Sequence, residues 1–258
     1  MSRITAAEVK EFVLREGADC VGIANPDAIP ESFPPRKVAD ILPGANSVVV
    51  FGMAMLNGAI ESPLYTVASS HSNALYEELM NLSNRVGRFL ERRGYKAATP
   101  SIYLPIENRR ETRGLVGELS LRHAGVAAGL GVLGRSRLLL THGFGPRLRL
   151  AAVVTDAELA PDKPLEEDLC SDCRLCIEAC PVQAISDGGQ VDTIRCLFHL
   201  QPFGLAPFIR FLSDLFAKST EEKQKAVRDP LFWNFYQTQS LGLTYHCFQC
   251  LIACPVGR

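Results

Sequence analysis

Seven of the nine cysteines of this chain lie in two short runs whose spacing suits metal ligation. The first run follows the pattern C-x2-C-x2-C-x3-C-P, and the second follows the shorter pattern C-x2-C-x3-C-P. Three thiolates on one short loop can bind three corners of an iron–sulfur cubane, so the fourth corner needs a ligand from elsewhere in the chain. The first run consists of Cys170, Cys173, Cys176 and Cys180, and the second of Cys247, Cys250 and Cys254.

The first pattern is that of the bacterial ferredoxins, in which the fourth cysteine of a run binds the other of two clusters. The second run is one cysteine short, and Cys196 is available to supply it. The spacing therefore predicts two 4Fe–4S clusters with exchanged fourth ligands, which leaves Cys20 over. Cluster one is assigned Cys170, Cys173, Cys176 and Cys254, and cluster two is assigned Cys180, Cys196, Cys247 and Cys250.

Zinc and a single cluster are the alternatives to this assignment. Zinc sites usually combine two separated C-x2-C pairs, whereas a triple run with proline after the fourth cysteine is more typical of iron–sulfur proteins. Two neighbouring clusters conduct single electrons. We therefore expect the rest of the chain to hold an electron acceptor.

Length and composition indicate a globular protein. The chain has 258 residues, of which 47% are hydrophobic and 21% charged, so disordered and collagen-like classes are excluded. The net charge of −1 gives no support to a nucleic-acid partner, although one stays open. The stretch Met1–Thr5 opens no signal sequence and has no twin-arginine pair, and no run of the chain approaches a membrane span, so we expect a cytoplasmic protein with reduced thiols.

The first 160 residues show an alternation of helical and strand patterns. Thr5–Glu8 reads as a capping box, Ser47–Phe51 and Arg147–Thr155 as strands, and His71–Arg93 as a helix with one apolar stripe. We predict an α/β (α+β) domain over residues 1–160 and a ferredoxin-like domain over residues 161–258. A helical insertion is predicted at about 201–246. Its apolar stripe is expected to pack on the core, with a dimer contact or an active-site cap as alternatives.

Several stretches of the chain resemble two known families. Ala18–Ala24 and Ile41–Gly52 are similar to the opening of the epoxyqueuosine reductases, and Ala127–Ser136 is similar to their glycine-rich segment. Leu139–Arg149, followed by Val154–Asp156, looks even more like the reductive dehalogenases. Both families bind cobalamin on a nitroreductase-like α/β domain and reduce it through two 4Fe–4S clusters. The resemblance thus implies a nitroreductase-like, cobalamin-binding first domain.

The resemblance also implies which residues would contact the cofactor. Glycines let the main chain approach a large flat ring, and arginines suit a phosphate. The alternative is that these glycines serve turns only. The implied residues are Gly129, Gly131, Gly134, Arg135, Ser136, His142, Gly143, Gly145 and Arg147.

The proton donors of both families are hard to place in this chain. The epoxyqueuosine reductases use an aspartate, but no aspartate occurs between Asp40 and Asp156. The reductive dehalogenases use a tyrosine near a lysine or arginine. Our candidates for a catalytic acid are Tyr103, Glu118 and His123, each of which could instead be a packed structural residue.

These observations predict a cobalamin-dependent reductase that acts on a small organic molecule or a modified nucleoside, with ferredoxin or flavodoxin as electron donor. Two alternatives stay open. One is a non-catalytic electron carrier, or an activator of a corrinoid protein, that docks through the acidic stretch Asp156–Asp187. The other is a reductase that binds flavin.

Overall fold

The computed structural model describes residues 3–31, 36–102 and 116–258, and these divide into two compact units. Unit 1 comprises Met1–Met55, Ala74–Cys173 and Cys254–Arg258. Unit 2 comprises Leu56–Asn73 and Arg174–Ala253. The change of unit at Cys173 falls inside the first cysteine run. Unit 1 therefore lacks residues 56–73 of the predicted first domain, 1–160, and adds residues 161–173 and 254–258.

The centre of unit 1 is an antiparallel sheet of four strands in the order β1-β2-β6-β3. These strands are β1 (Cys20–Ala24), β2 (Ser47–Ala54), β3 (Ala97–Ala98) and β6 (Leu148–Thr155). Ser47 pairs with Thr155 and Ala54 with Leu148. The four residues 48–51 of β2 are fully buried, so both faces of this strand are covered. A continuous apolar run is the pattern expected of such a strand.

Two helices confirm the sequence patterns and refine their bounds. Helix α1 (Ala6–Arg15) begins with the predicted capping box of Thr5 and Glu8. Helix α4 (Tyr65–Glu91) begins in unit 2, six residues before the predicted start, and continues into unit 1. Helix α5 (Leu121–Ala127) packs against β1, β2 and β6. The short helix α2 (Val38–Ile41) adds Val38 to the core on this side of the sheet.

The glycine-rich segment that follows α5 forms a small hairpin of β4 (Val132–Leu133) and β5 (Leu139–Leu140). A β-carbon at Gly131 would overlap the carbonyl oxygen of Leu140. A β-carbon at Gly134 would meet the Leu140 side chain at 2.7 Å. The hairpin therefore packs so closely on itself that only glycine fits at these positions.

Unit 2 is helical in its described residues and carries most of the cysteines. Helices α6 (Leu175–Glu178) and α11 (Gln249–Ala253) pack together and hold parts of the two cysteine runs, and α7 (Thr193–Leu200) carries Cys196. The remaining helices are α3 (Asn57–Ile60), α8 (Leu205–Phe216), α9 (Thr220–Arg228) and α10 (Pro230–Leu241).

Helices α8, α9 and α10 form the predicted insertion. The rings of Phe208 and Phe211 on α8 contact that of Phe235 on α10, with centroids 5.4 Å and 5.2 Å apart. These contacts lie within the insertion itself, so packing of the stripe on the core stays a prediction. The last residue of the stripe, Phe216, is 75% exposed.

Among the described helices, including the 27-residue α4, none combines the length and the apolar composition needed to cross a lipid bilayer.

The close packing at Gly131 gives a test of the fold. Gly131→Ala should lower the free energy of unfolding by about 1–3 kcal/mol, because the added methyl group must displace main-chain atoms. Gly87→Ala in α4 is the matched control, since its β-carbon would lie at an ordinary 3.7 Å from that of Ala97. Urea denaturation followed by circular dichroism compares the two. Equal midpoints for both variants would contradict the packing described here.

Candidate functional site

Four cysteines lie close together in unit 2. Burial, together with the charges of Cys247, Cys196, Cys176 and Cys180, raises the pKa of Cys250 to about 12. Burial likewise raises the pKa of Cys196, with Cys247 and Cys180 adding to the shift. The structure thus brings together all four cysteines assigned to cluster two. Mutual repulsion of this kind disappears when the thiolates bind iron.

Local structure fixes these cysteines from two sides. The main-chain N–H of Ala184 donates a hydrogen bond of 3.2 Å to the Cys180 sulfur. Asp192 caps the start of α7, which carries Cys196, by accepting a hydrogen bond from the Arg195 N–H. The N–H of His246, the residue before Cys247, donates to the Leu200 carbonyl at the end of the same helix. The second run is thereby joined to the helix that supplies its missing ligand.

A second group of cysteines lies in unit 1. Burial raises the pKa of Cys254, a hydrogen bond with the Val256 main chain and the charge of Arg147 lower it, and Cys173 and Cys170 raise it again. These three cysteines are therefore neighbours, although Cys254 is more than 80 positions away in the sequence. The fourth residue assigned to cluster one, Cys176, belongs to unit 2 and acts on Cys250, so the structure does not group it with these three.

Two residues that the cysteine pattern did not indicate support the Cys170 loop. The main-chain N–H of Arg135 donates to the Cys170 sulfur at 3.3 Å, and its guanidinium pairs with Asp172. The carboxylate of Asp168 accepts the N–H of Cys170 at 2.9 Å. Hydrogen bonds from main-chain amides to sulfur favour the thiolate, which is the form that binds iron.

Arg147 lies beside the segment that carries Cys254. The residue is only 3% exposed, and its guanidinium donates to the carbonyls of Cys254 at 3.1 Å and of Val256 at 2.7 Å. A β-carbon at Gly145 would overlap the Val256 carbonyl oxygen. These predicted cofactor residues therefore contact the chain's own carboxyl-terminal segment.

The other predicted cofactor residues have varied surroundings. A β-carbon at Gly129 would overlap the Lys163 carbonyl oxygen, so close packing accounts for this glycine, as it does for Gly131 and Gly134. Gly143 is exposed, with open space around its β-carbon position. His142 lies 3.3 Å from Glu167 at the surface, and Ser136 is half-buried. Contact of these residues with a corrin ring stays a prediction.

The three candidate acids differ in their environment. Tyr103 lies outside the described residues. His123 forms a 2.7 Å hydrogen bond with the hydroxyl of Ser120, and desolvation, followed by the charges of Arg122 and Arg137, lowers its pKa. Because a lowered pKa favours the neutral ring at pH 7, His123 is poorly suited to act as a general acid at that pH.

Glu118 borders a cavity of about 900 Å³ in unit 1. Its Oε2 atom is buried and has no hydrogen-bond partner in the described part of the chain. The cavity is also lined by the hydroxyl and amide side chains of Ser83, Asn84, Thr99 and Ser101. A buried carboxylate oxygen without a donor is costly, so this atom is suited to a ligand that brings a donor of its own.

The donor set fits iron–sulfur clusters. All nine cysteines are free of disulfides, and eight of them form a group of five in unit 2, which includes Cys176, and a group of three in unit 1. Cys20 lies apart in β1, where burial raises its pKa to about 11. Within the described ranges, no three His, Cys, Asp or Glu side chains surround a single metal ion. A cubane spreads its thiolates over four corners, so that finding concerns mononuclear sites such as zinc.

Comparison with known proteins identifies the class of the cysteine-bearing segment. Residues 164–186 match the model of the family described as "4Fe-4S binding domain". The described residues around this segment form a mixed α/β fold. The chain is thus an iron–sulfur protein by sequence.

Curated relatives are reductases of two kinds. The tetrachloroethene reductive dehalogenase of Dehalobacter restrictus is 38% identical over 143 residues, which make up 54% of this chain and 23% of that protein. The epoxyqueuosine reductase of Bacillus cereus is 39% identical over 92 residues, which make up 35% of this chain and 24% of that protein. The aligned regions thus cover about a quarter of the curated relatives.

Solved structures of both kinds share the fold. An epoxyqueuosine reductase from Bacillus subtilis matches 98% of this chain and 65% of its own, with a TM-score of 0.63 and 22% identity. A reductive dehalogenase, reported with a mechanism for B12-dependent dehalogenation, matches 95% of this chain and 37% of its own, with a TM-score of 0.59 and 20% identity. The chain is a divergent relative of these two families of reductase.

The two groups of cysteines give a direct test of the cluster assignment. Cys254→Ala should remove cluster one and Cys196→Ala cluster two, each lowering the iron content from about eight to about four atoms per chain. Cys20→Ala is the control and should keep all the iron. Iron and sulfide analysis of anaerobically reconstituted protein measures the outcome. Full iron content in Cys196→Ala would show that this residue is not a ligand.

Proposed function

We propose that this chain is a reductase that passes electrons through two 4Fe–4S clusters to a bound cobalamin. The reaction would be a reductive elimination on a small organic molecule or a modified nucleoside. The observation that carries the proposal is the clustering of eight cysteines at two places, five of them in unit 2 and three in unit 1. Their ferredoxin spacing and the similarity to two families of reductase support the same conclusion.

Each set of cysteines would hold one cluster. Unit 1 contains Cys170, Cys173 and Cys254. Unit 2 contains the other five, namely Cys176, Cys180, Cys196, Cys247 and Cys250. When bound, the clusters conduct single electrons and the cobalamin supplies a strongly reducing cobalt centre. The first cysteine run contributes to both sets, so it forms a short covalent link between the two cluster sites.

Features of unit 1 fit a corrinoid. Such a ligand has a flat ring, which needs bare main chain, and a rim of amide side chains, which need polar partners. Gly143 offers bare main chain, and the cavity beside Glu118 offers the hydroxyl and amide groups of Ser83, Asn84, Thr99 and Ser101. The similar dehalogenase structure was reported to suggest a mechanism for B12-dependent dehalogenation, and this similarity favours cobalamin over flavin.

Glu118 is our choice for the proton donor among the described residues. A carboxyl group in a cavity of this size can reach a bound substrate. Its Oε2 atom has no hydrogen-bond partner among the described residues. His123, by contrast, is already bonded to Ser120. Tyr103 stays a candidate that the described residues do not test.

Titration with cobalamin tests the proposed cofactor. Reconstituted protein under reducing conditions should shift the corrin absorbance spectrum and release measurable heat on binding. Bound flavin absorbance would favour the flavin alternative. Two intact clusters without any corrin binding would contradict our proposal and favour the electron carrier.

Substitution of Glu118 tests the proposed proton donor. Glu118→Gln should lower turnover about 10²–10⁴-fold, because the amide cannot donate a catalytic proton, while cobalamin binding is retained. The relatives suggest two trial substrates, tetrachloroethene and an epoxyqueuosine-modified tRNA stem loop. Glu77→Gln, on the exposed face of α4, is the control. Unchanged turnover in Glu118→Gln would move the assignment to Tyr103.

A further inference from the structure

Arg147 is a charged side chain enclosed by the protein. It directly precedes β6, and only 3% of its surface is exposed. Enclosing a guanidinium costs free energy unless its donors are satisfied and its charge meets an opposite one. Its hydrogen bonds to the carbonyls of Cys254 and Val256 satisfy two of its donors. A cluster held partly by Cys254 would add a negative charge beside it.

The surroundings of Arg147 hold the carboxyl-terminal segment in one position. A β-carbon at Gly257 would overlap the main chain of Phe144 and Gly145, so the segment and the turn before β6 interlock without side chains between them. The main-chain carbonyl of Arg147 accepts the N–H of Met55 at 2.9 Å, just after β2. Cys254 is therefore anchored to the central strands of unit 1.

Arg147 brings a positive charge to the site proposed for cluster one. Its guanidinium lies 3.1 Å from the carbonyl oxygen of Cys254, and the residue is almost completely enclosed, so solvent screens its charge only weakly. Net charge and hydrogen bonds to sulfur are among the determinants of the reduction potential of a cluster.

We infer that Arg147 is a positioning residue that anchors the fourth ligand of cluster one and raises the reduction potential of that cluster. This inference rests on the proposed function. Reduction adds one negative charge to a cluster, so a nearby cation stabilises the reduced form more than the oxidised form. Electron transfer into cluster one would then be more favourable than without this charge.

The transfer step would be a one-electron exchange. A low-potential protein donor of the ferredoxin or flavodoxin class would supply the electron to cluster two, and cluster two would be reoxidised as cluster one is reduced. No bond would form or break, and no proton would move.

Redox titration of three variants tests the inference. Arg147→Met removes the charge, Arg147→Lys keeps the charge but loses the planar fork, and Arg149→Met removes a neighbouring cation that lies over the Tyr76 ring. Electron paramagnetic resonance follows each cluster during the titration, with Cys196→Ala used to assign the signal of cluster one. Iron content is measured in every sample.

We expect Arg147→Met to lower the ratio of reduced to oxidised cluster one about tenfold at a fixed applied potential, which for one electron is about 59 mV. Arg147→Lys and Arg149→Met should keep the ratio within about threefold. Selective loss of the cluster one iron in Arg147→Met, with cluster two retained, also supports the anchoring role. An unchanged potential with full iron in Arg147→Met overturns the inference.

The same samples separate this inference from the proposed function. Wild-type protein without two cluster signals contradicts the proposed function itself. Two wild-type signals that respond equally to Arg147→Met and Arg149→Met leave the clusters in place but remove the special role of Arg147. If Arg147→Met fails to fold, Arg147→Lys decides, because loss of one fork hydrogen bond should make cluster one lose iron to a chelator faster than cluster two.

Discussion

The structure depends on the attachment of its carboxyl-terminal segment to the turn before β6. Two carbonyls of that segment accept hydrogen bonds from the enclosed guanidinium of Arg147, and Gly145 and Gly257 let the two main chains touch. This contact places Cys254 beside Cys170 and Cys173, although the rest of its own run belongs to unit 2. Without this contact, the site proposed for cluster one would lack its ligand Cys254.

The exchange of ligands between runs has a physical basis. A short loop can wrap only three corners of a cubane, so each run needs a partner from a distant part of the chain. Iron bound at either proposed site would join distant parts of the chain and so restrict the unfolded ensemble. Assembly of the proposed clusters would therefore be coupled to folding of the units that hold them.

The glycine-rich segment shows that one sequence pattern can have two structural causes. Their resemblance to the cofactor segment of two reductase families led us to expect contacts with a corrin ring. In the described structure, Gly129, Gly131, Gly134 and Gly145 each lie against the protein's own atoms. Close approach of two main chains requires glycine just as much as close approach to a ligand does, and spacing in the sequence does not distinguish the two.

The sequence alone predicted the grouping of Cys180, Cys196, Cys247 and Cys250, the capping box of α1 and two central strands, because these follow from local spacing and periodicity. It could not show that Glu118 faces a cavity while His123 is bonded to Ser120, since both occupy similar positions near α5. Nor could it show the role of Arg147, whose partners lie more than 100 residues away. Contacts between distant segments depend on packing, and only the tertiary structure decided them.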